Sequence, residues 1–212
     1  GFNISPSVVW AISASDEVVI GLGAMFQYRG KFSPLATFDS YDPGDEVSVT
    51  GGVDIKLDET SSIAADMVFT LFGKDNVGGL DVFSAGNKLL ASVQFQKFFE
   101  MDALGILFTF RTKAKPVIGF GTLEPDQSEI VATYAAHFSK RVSAQFLLEG
   151  RFFQQTPAPR TGFNMIGVGV APEFKLSETL SLQLRLKYLY ASSKRDGKLN
   201  GVEVGLGVVV RY

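Results

Sequence analysis

Along residues 46–58 polar and apolar side chains take turns. Val47, Val49, Val53, Ile55 and Leu57 share one parity, and Glu46, Ser48, Thr50, Asp54 and Lys56 share the other. Successive side chains of a strand point to opposite faces, so this segment reads as a strand with one apolar and one polar side. The same alternation predicts strands at 7–13, 17–29, 46–58, 62–73, 88–99, 103–115, 129–139, 142–154, 165–176, 180–191 and 201–212, eleven in all. Most run to roughly ten to thirteen residues, the length a tilted strand needs to cross a bilayer. Helical periodicity is not sustained anywhere. No stretch approaches eighteen consecutive apolar residues, so a transmembrane helix is excluded.

The connections alternate in length. Tight ones fall at 14–16, 59–61, 100–102, 140–141 and 177–179, and long ones at 30–45, 74–87, 116–128, 156–164 and 192–200. Outer-membrane barrels show this asymmetry, with short periplasmic turns and longer extracellular loops. The apolar parity, as in Val18, Ile20, Leu22, Phe26 and Tyr28 or Leu180, Leu182, Leu184, Leu186, Tyr188 and Tyr190, would then meet lipid. The opposite parity would line a lumen with Asp54, Lys56, Asp66, Gln94, Gln96, Arg111, Lys113, Glu149, Arg151, Glu173, Lys175, Arg185, Lys187, Glu203 and Arg211. A protein core could not bury so many charges. A soluble barrel would instead have to pack the many large apolar side chains into a cavity meant for one small ligand.

Composition sharpens this expectation. The 212 residues carry no Pro- or Ser-rich linker and read as one domain, residues 1–212. Phe at 19 and Gly at 22 are both abundant, as aromatic girdles and a coiled sheet would require. A net charge of −2 without a basic run argues against a nucleic-acid partner. The absence of cysteine removes disulfides, thiol catalysis and zinc-thiolate sites. A secretory signal is expected to lie upstream of Gly1 or to have been removed.

The last strand has Val202, Val204, Leu206, Val208, Val210 and Tyr212 on one parity. Its segment from Gly207 to Tyr212 resembles the C-terminal targeting signal of Gram-negative outer-membrane barrels, departing from it at Gly205, where a polar residue is usual. That resemblance implies the outer membrane as location, its lipid as surroundings and the barrel assembly machinery as a partner during insertion. The tract Tyr41-Asp42-Pro43-Gly44-Asp45, the alternating strand after it and the hairpin at Leu57-Asp58-Glu59-Thr60-Ser61-Ser62 resemble the small outer-membrane transporter or porin family linked to aromatic-degradation pathways. Membership would imply an antiparallel up-and-down barrel of about twelve strands and passive transport of small solutes.

Eleven visible strands conflict with the even number of bacterial single-chain barrels. A twelfth, N-terminal strand absent from this sequence is the favoured explanation. The alternative is a ten-stranded barrel with the segment before Ala14 lying across the lumen or along the wall, since Pro6 is poorly placed in a central strand.

Candidate chemistry is electrostatic. Glu149 and Arg151, Glu173 and Lys175, and Arg185 and Lys187 face inward on three successive strands, with Glu203 on the next; Asp54, Lys56, Asp66 and Arg111 belong to the other half. They could form a salt-bridge network that stiffens a narrow barrel, or a pore lining that selects a solute. Inward Phe72, Phe98 and Phe153 could narrow the bore. The single histidine, His137, lies on the lumen parity, and no nucleophile elbow, HExxH or paired-cysteine motif accompanies it. No enzymatic activity and no cofactor is expected. The reading is a channel for small solutes, with a structural or partner-anchoring barrel as the alternative.

Overall fold

The computed structural model describes residues 2–33, 40–114, 116, 118, 125–154, 164–193 and 197–210. Its main sheet is built of β1 (Asn3–Ile4), β2 (Ser7–Ser13), β3 (Val18–Arg29), β5 (Glu46–Lys56), β6 (Ser61–Phe72), β9 (Lys88–Phe99), β10 (Asp102–Lys113), β11 (Gln127–His137), β12 (Val142–Phe153), β13 (Asn164–Lys175), β14 (Leu180–Ser193) and β15 (Gly197–Val210). All neighbours are antiparallel and follow chain order, an up-and-down meander of about twelve strands. β1 and β2 both lie on β3 in one register, Ile4 opposite Tyr28 and Ser7 opposite Met25. They are one strand interrupted before Pro6, so the meander has eleven strand positions, as the alternation predicts.

Two prolines inside strands are accommodated by dropping single rungs. Pro6 has no N–H to give β3, yet its carbonyl still accepts from Phe26 N–H at 3.1 Å. Pro172 keeps its place opposite Ala144, but pairing with β14 lapses between Val170–Leu186 and Glu173–Gln183 and resumes in the same register. Neither proline shifts a face.

Register therefore carries one polarity across the whole sheet. Asp66 stands opposite Gly52 and Ser92, Arg111 opposite Leu90 and Gln127, and Lys187 opposite Gly169 and Glu203, all on one face. In β3 the apolar Ile20, Leu22, Phe26 and Tyr28 are exposed, while Met25, Gln27 and Arg29 on the other face are partly covered. In β12 Phe146, Leu148 and Phe152 are exposed, while Leu147, Glu149 and Arg151 are partly covered. The accessible surface is 14060 Å², against about 9,600 Å² for a compact soluble protein of this mass. Among the described residues only three alanines, Ala136, Ala144 and Ala171, form a buried apolar core.

The long connections hold structure that the sequence reading left as loops. β4 (Tyr41–Asp42), β7 (Lys74–Val77) and β8 (Leu80–Ser84) make a separate three-stranded sheet beyond the ends of β3, β5 and β6. Gly78 and Gly79 form its two-residue turn, both at positive φ (58° and 89°), as a type I′ hairpin requires. Phe32 and Tyr41 exchange main-chain hydrogen bonds and stack edge to face at 5.3 Å. Asp75 joins the two connections: it accepts from Tyr41 Oη and, at 2.8 Å, from Gly44 N–H. At the opposite end Asp58 accepts from Thr60 N–H, Thr60 Oγ1, Ser61 Oγ and Lys97 Nζ. These donors, those of Thr60 foremost, hold its carboxyl well below the usual carboxylate range. That contribution is complete at neutral pH and is lost as the pH falls from the ordinary carboxylate pKa through the lowered one.

The hydrogen bond to Asp75 raises Tyr41 from the ordinary 10 to about 12. The folded loops keep a proton that an unfolded tyrosine loses, so the link between the connections weakens as pH rises from about 10 to about 12. The phenolate absorbance of the native protein minus that of Tyr41→Phe should step near pH 12; a step near 10 would show that the Asp75 link is absent in solution.

Candidate functional site

The polar face of β11 to β15 gathers most of the inward charges anticipated from the sequence. Glu129 and Arg151 are directly opposite on β11 and β12, with Arg151 Nη2 donating to Glu129 Oε1 at 3.1 Å. Glu149 on β12 faces not a charge but Gly167 on β13, and Lys187 on β14 faces Gly169. With no side chain between them, Lys187 Nζ reaches over β13 to within 2.7 Å of Glu149 Oε1. The span is two interstrand spacings, about 9.6 Å. A Cβ on Gly167 would sit 2.8 Å from both Glu149 Cγ and Oε1, so glycine is what leaves the passage open. Lys187 and Glu149 are the most covered of these ion pairs, with side chains 16% and 13% exposed.

Other inward charges are engaged near the strand ends. Arg29 pairs with Glu46 across β3 and β5, and Arg111 Nη2 donates to Gln127 Oε1 at 2.7 Å. Glu173 and Lys113 also make polar or electrostatic contacts. By contrast Arg185, Glu203, Asp54, Lys56 and Asp66 form no ion pair among the described residues, although Arg185 and Glu203 lie on adjacent strands. Arg185, Lys187, Glu203, Gln145 and Gly169 line a recess of about 180 Å³. A second hollow of about 250 Å³ beside it is bounded by Gln183, Arg185, Glu203, Gly205 and Gly207.

The expected clusters thus separate into two populations. Glu149, Arg151 and Lys187 belong to a fixed network, while Arg185 and Glu203 face open space. Asp54, Lys56 and Asp66 share the polar face of β5 and β6 without forming an ion pair with one another. Arg211 and Tyr212 lie outside the described residues. Sequence reading missed Glu129, Arg29 and Glu46 as network members; their parity, odd in β11 and β3 and even in β5, is the signal that would have found them. It also left the partner of Glu149 open, because reach across a glycine strand is a property of register.

His137 sits on the polar face at the tight-turn end of β11. Its main-chain N–H donates to Asp102 Oδ1 at 2.8 Å, and its Nδ1 lies 3.6 Å from that oxygen. Among the described residues no group of three or more His, Asp or Glu side chains is arranged to hold a metal ion, and no helix is long and apolar enough to cross a membrane.

No protein-family profile matches the chain, and no curated protein sequence matches it. Among solved structures, the translocator domain of the autotransporter NalP from Neisseria meningitidis aligns over 99% of this chain and 80% of that one, at 11% identity and a TM-score of 0.34. So loose a superposition fixes neither strand count nor function.

Replacing Lys187 with Met should strand the Glu149 carboxylate and lower stability by about 2–3 kcal/mol. The double variant Lys187→Met with Glu149→Leu should recover most of that loss, measured by denaturant unfolding in detergent. A double variant no more stable than the single one would mean that the pair contributes no coupling.

Proposed function

We propose that the chain is an outer-membrane β-barrel through which small solutes diffuse passively along a narrow, charged lumen. One observation carries the reading: the apolar parity is the exposed face of the sheet and the charged parity the more enclosed one. Water would make the reverse arrangement favourable, whereas lipid rewards this one. Val49, Met67, Leu148 and Val168 stand about half exposed toward the middle of their strands, where the hydrocarbon would lie. The tight turns would face the periplasm and the β4, β7 and β8 sheet the exterior. Outer-membrane lipid and, during insertion, the barrel assembly machinery are the partners this location entails. The proposal contains no catalytic step and no cofactor.

Within the lumen the paired charges would hold the wall, and the unpaired Arg185, Glu203, Asp54, Lys56 and Asp66 would meet the solute. The likeness of the Tyr41–Asp45 tract to transporters linked with aromatic degradation makes a small aromatic solute the first class to try. Inward Phe72, Phe98 and Phe153 would offer such a ring apolar contact.

Purified protein in a planar bilayer should show discrete single-channel currents; a folded, inserted protein that passes no ions would refute the channel. Arg185→Glu should shift the zero-current potential under a salt gradient toward cation preference while leaving stability within about 0.5 kcal/mol. On the apolar face Leu148→Arg should destabilise the protein in lipid by about 2–4 kcal/mol. An effect below about 0.5 kcal/mol would mean that this face does not meet hydrocarbon.

A further inference from the structure

The meander leaves two strand edges without a partner. Among the described residues no ladder joins β2 to β15. On β1 and β2 the even-numbered residues bond to β3, as shown by Gly30 N–H to Phe2 C=O at 2.9 Å, Phe26 N–H to Pro6 C=O at 3.1 Å and Ala14 N–H to Val18 C=O at 2.8 Å. Antiparallel geometry then turns the N–H and C=O groups of Ser7, Val9, Ala11 and Ser13 to the free edge. Pro6 interrupts only the bonded side, so the free row is intact.

The other edge follows by the same reasoning. Leu176 N–H donates to Leu180 C=O at 2.9 Å, so even residues of β14 face β13 and odd ones face β15. Their partners Glu203, Gly205 and Gly207 consequently face β14. Val202, Val204, Leu206 and Val208 turn their main-chain groups outward. Side chains on both edges are also unusually bare: Val9 and Val202 are 72% exposed and Leu206 74%. In hydrocarbon an open row of this kind is strongly unfavourable.

Eleven antiparallel positions make the two edges run in the same direction, so direct pairing between them would be parallel. One inserted strand, antiparallel to both, satisfies each row in the way every other strand of the sheet is satisfied. A second copy fits less well: pairing β2 with its equivalent and β15 with its equivalent would thread the two copies through the membrane in opposite senses. We propose that β2 and β15 border a gap filled by one strand belonging to residues upstream of Gly1 in the natural polypeptide. An upstream strand would reach Asn3 at the long-loop end and place both chain ends at the tight-turn side. A downstream strand would place both ends outside, and both would have to cross the membrane. On the polar side the gap is bordered by Val9 and Glu203 but otherwise by small residues, Ala11, Gly201, Gly205 and Gly207 among them, which leaves room for large inward side chains on the missing strand.

This proposal rests on the membrane reading above, and the test separates the two. The chain has no cysteine, so thiols can be placed at will in the natural mature protein purified from outer membranes. Ala11→Cys would be combined in turn with Gly201→Cys, Gly205→Cys and Gly207→Cys, positions where an added Cβ meets nothing closer than 3.6 Å. With one strand between the edges the separation is about 9.6 Å. A thiol-reactive linker of about 10 Å should then join one of the pairs within a single chain, while oxidation should give no disulfide, which needs Cα atoms within about 7 Å. A direct disulfide, a linked dimer, or no linkage at any of the three heights overturns the gap.

Peptide mapping of the same material should find at least about nine residues before Gly1, shielded from protease by the folded barrel. A mature chain that starts at Gly1 overturns the upstream assignment. If the protein instead stays folded and dispersed in buffer without detergent, the membrane reading itself fails, whatever the linkers report.

Discussion

Everything in this molecule depends on the backbone ladder holding an unbroken two-residue period from β2 to β15. Side-chain polarity is carried across the sheet only if each strand meets the next in a register that keeps parity. A slip of one residue in any hairpin would send Glu149 or Arg151 to the apolar face and Leu148 to the polar one. The tight turns enforce register locally: Asp58 gathers four donors at the 57–61 turn, and Ser177 Oγ accepts from Leu180 N–H at 3.1 Å at the 176–180 turn. Even Pro172 gives up a rung without moving its neighbours out of step.

Given that period, the placement of charge follows from desolvation. A single inward carboxylate in a narrow, partly covered space is costly, and an opposite charge within reach offsets much of the cost. The sheet supplies that partner in two ways. Glu129 and Arg151 meet directly across one ladder, whereas Glu149 and Lys187 meet over β13 because Gly167 and Gly169 leave nothing in the way. The second route couples strands that are not neighbours. It ties β12 to β14 across the strand between them, which a nearest-neighbour pair does not.

Most of the fold was legible because alternation is a local signal repeated many times. Residues 88–99 and 7–13 match the observed strands end for end, and the other strand boundaries either coincide, as at Arg29, Glu46, Val142 and Leu180, or lie one to four residues away. Pro6 left the first strand in doubt, since sequence alone does not say which side of a strand the missing N–H faces. The β4, β7 and β8 sheet escaped notice for a different reason. Its strands are two to five residues long, too short for periodicity to register, and only the Gly78-Gly79 pair before Leu80 marks the hairpin. Within the site, parity correctly placed Arg185 beside Lys187 but could not say that one is paired and the other is not. That difference arises from Gly167 lying between Glu149 and Lys187, a relation among three strands.

The division among the charges has a consequence for which of them can be replaced. Lys187 and Glu149 are held to each other, so changing either disturbs an ion pair that spans β13. Arg185 and Glu203 stand on the same face, one residue pair away along the β14–β15 ladder, with Gly205 and Gly207 beside them and no ion pair to lose. Their replacement changes the field in the recess while leaving the brace intact. The braced pair and the uncompensated charges therefore reside in different side chains of adjacent strands. In a sheet whose register must not move, that separation leaves Arg185 and Glu203 as the charges that can vary.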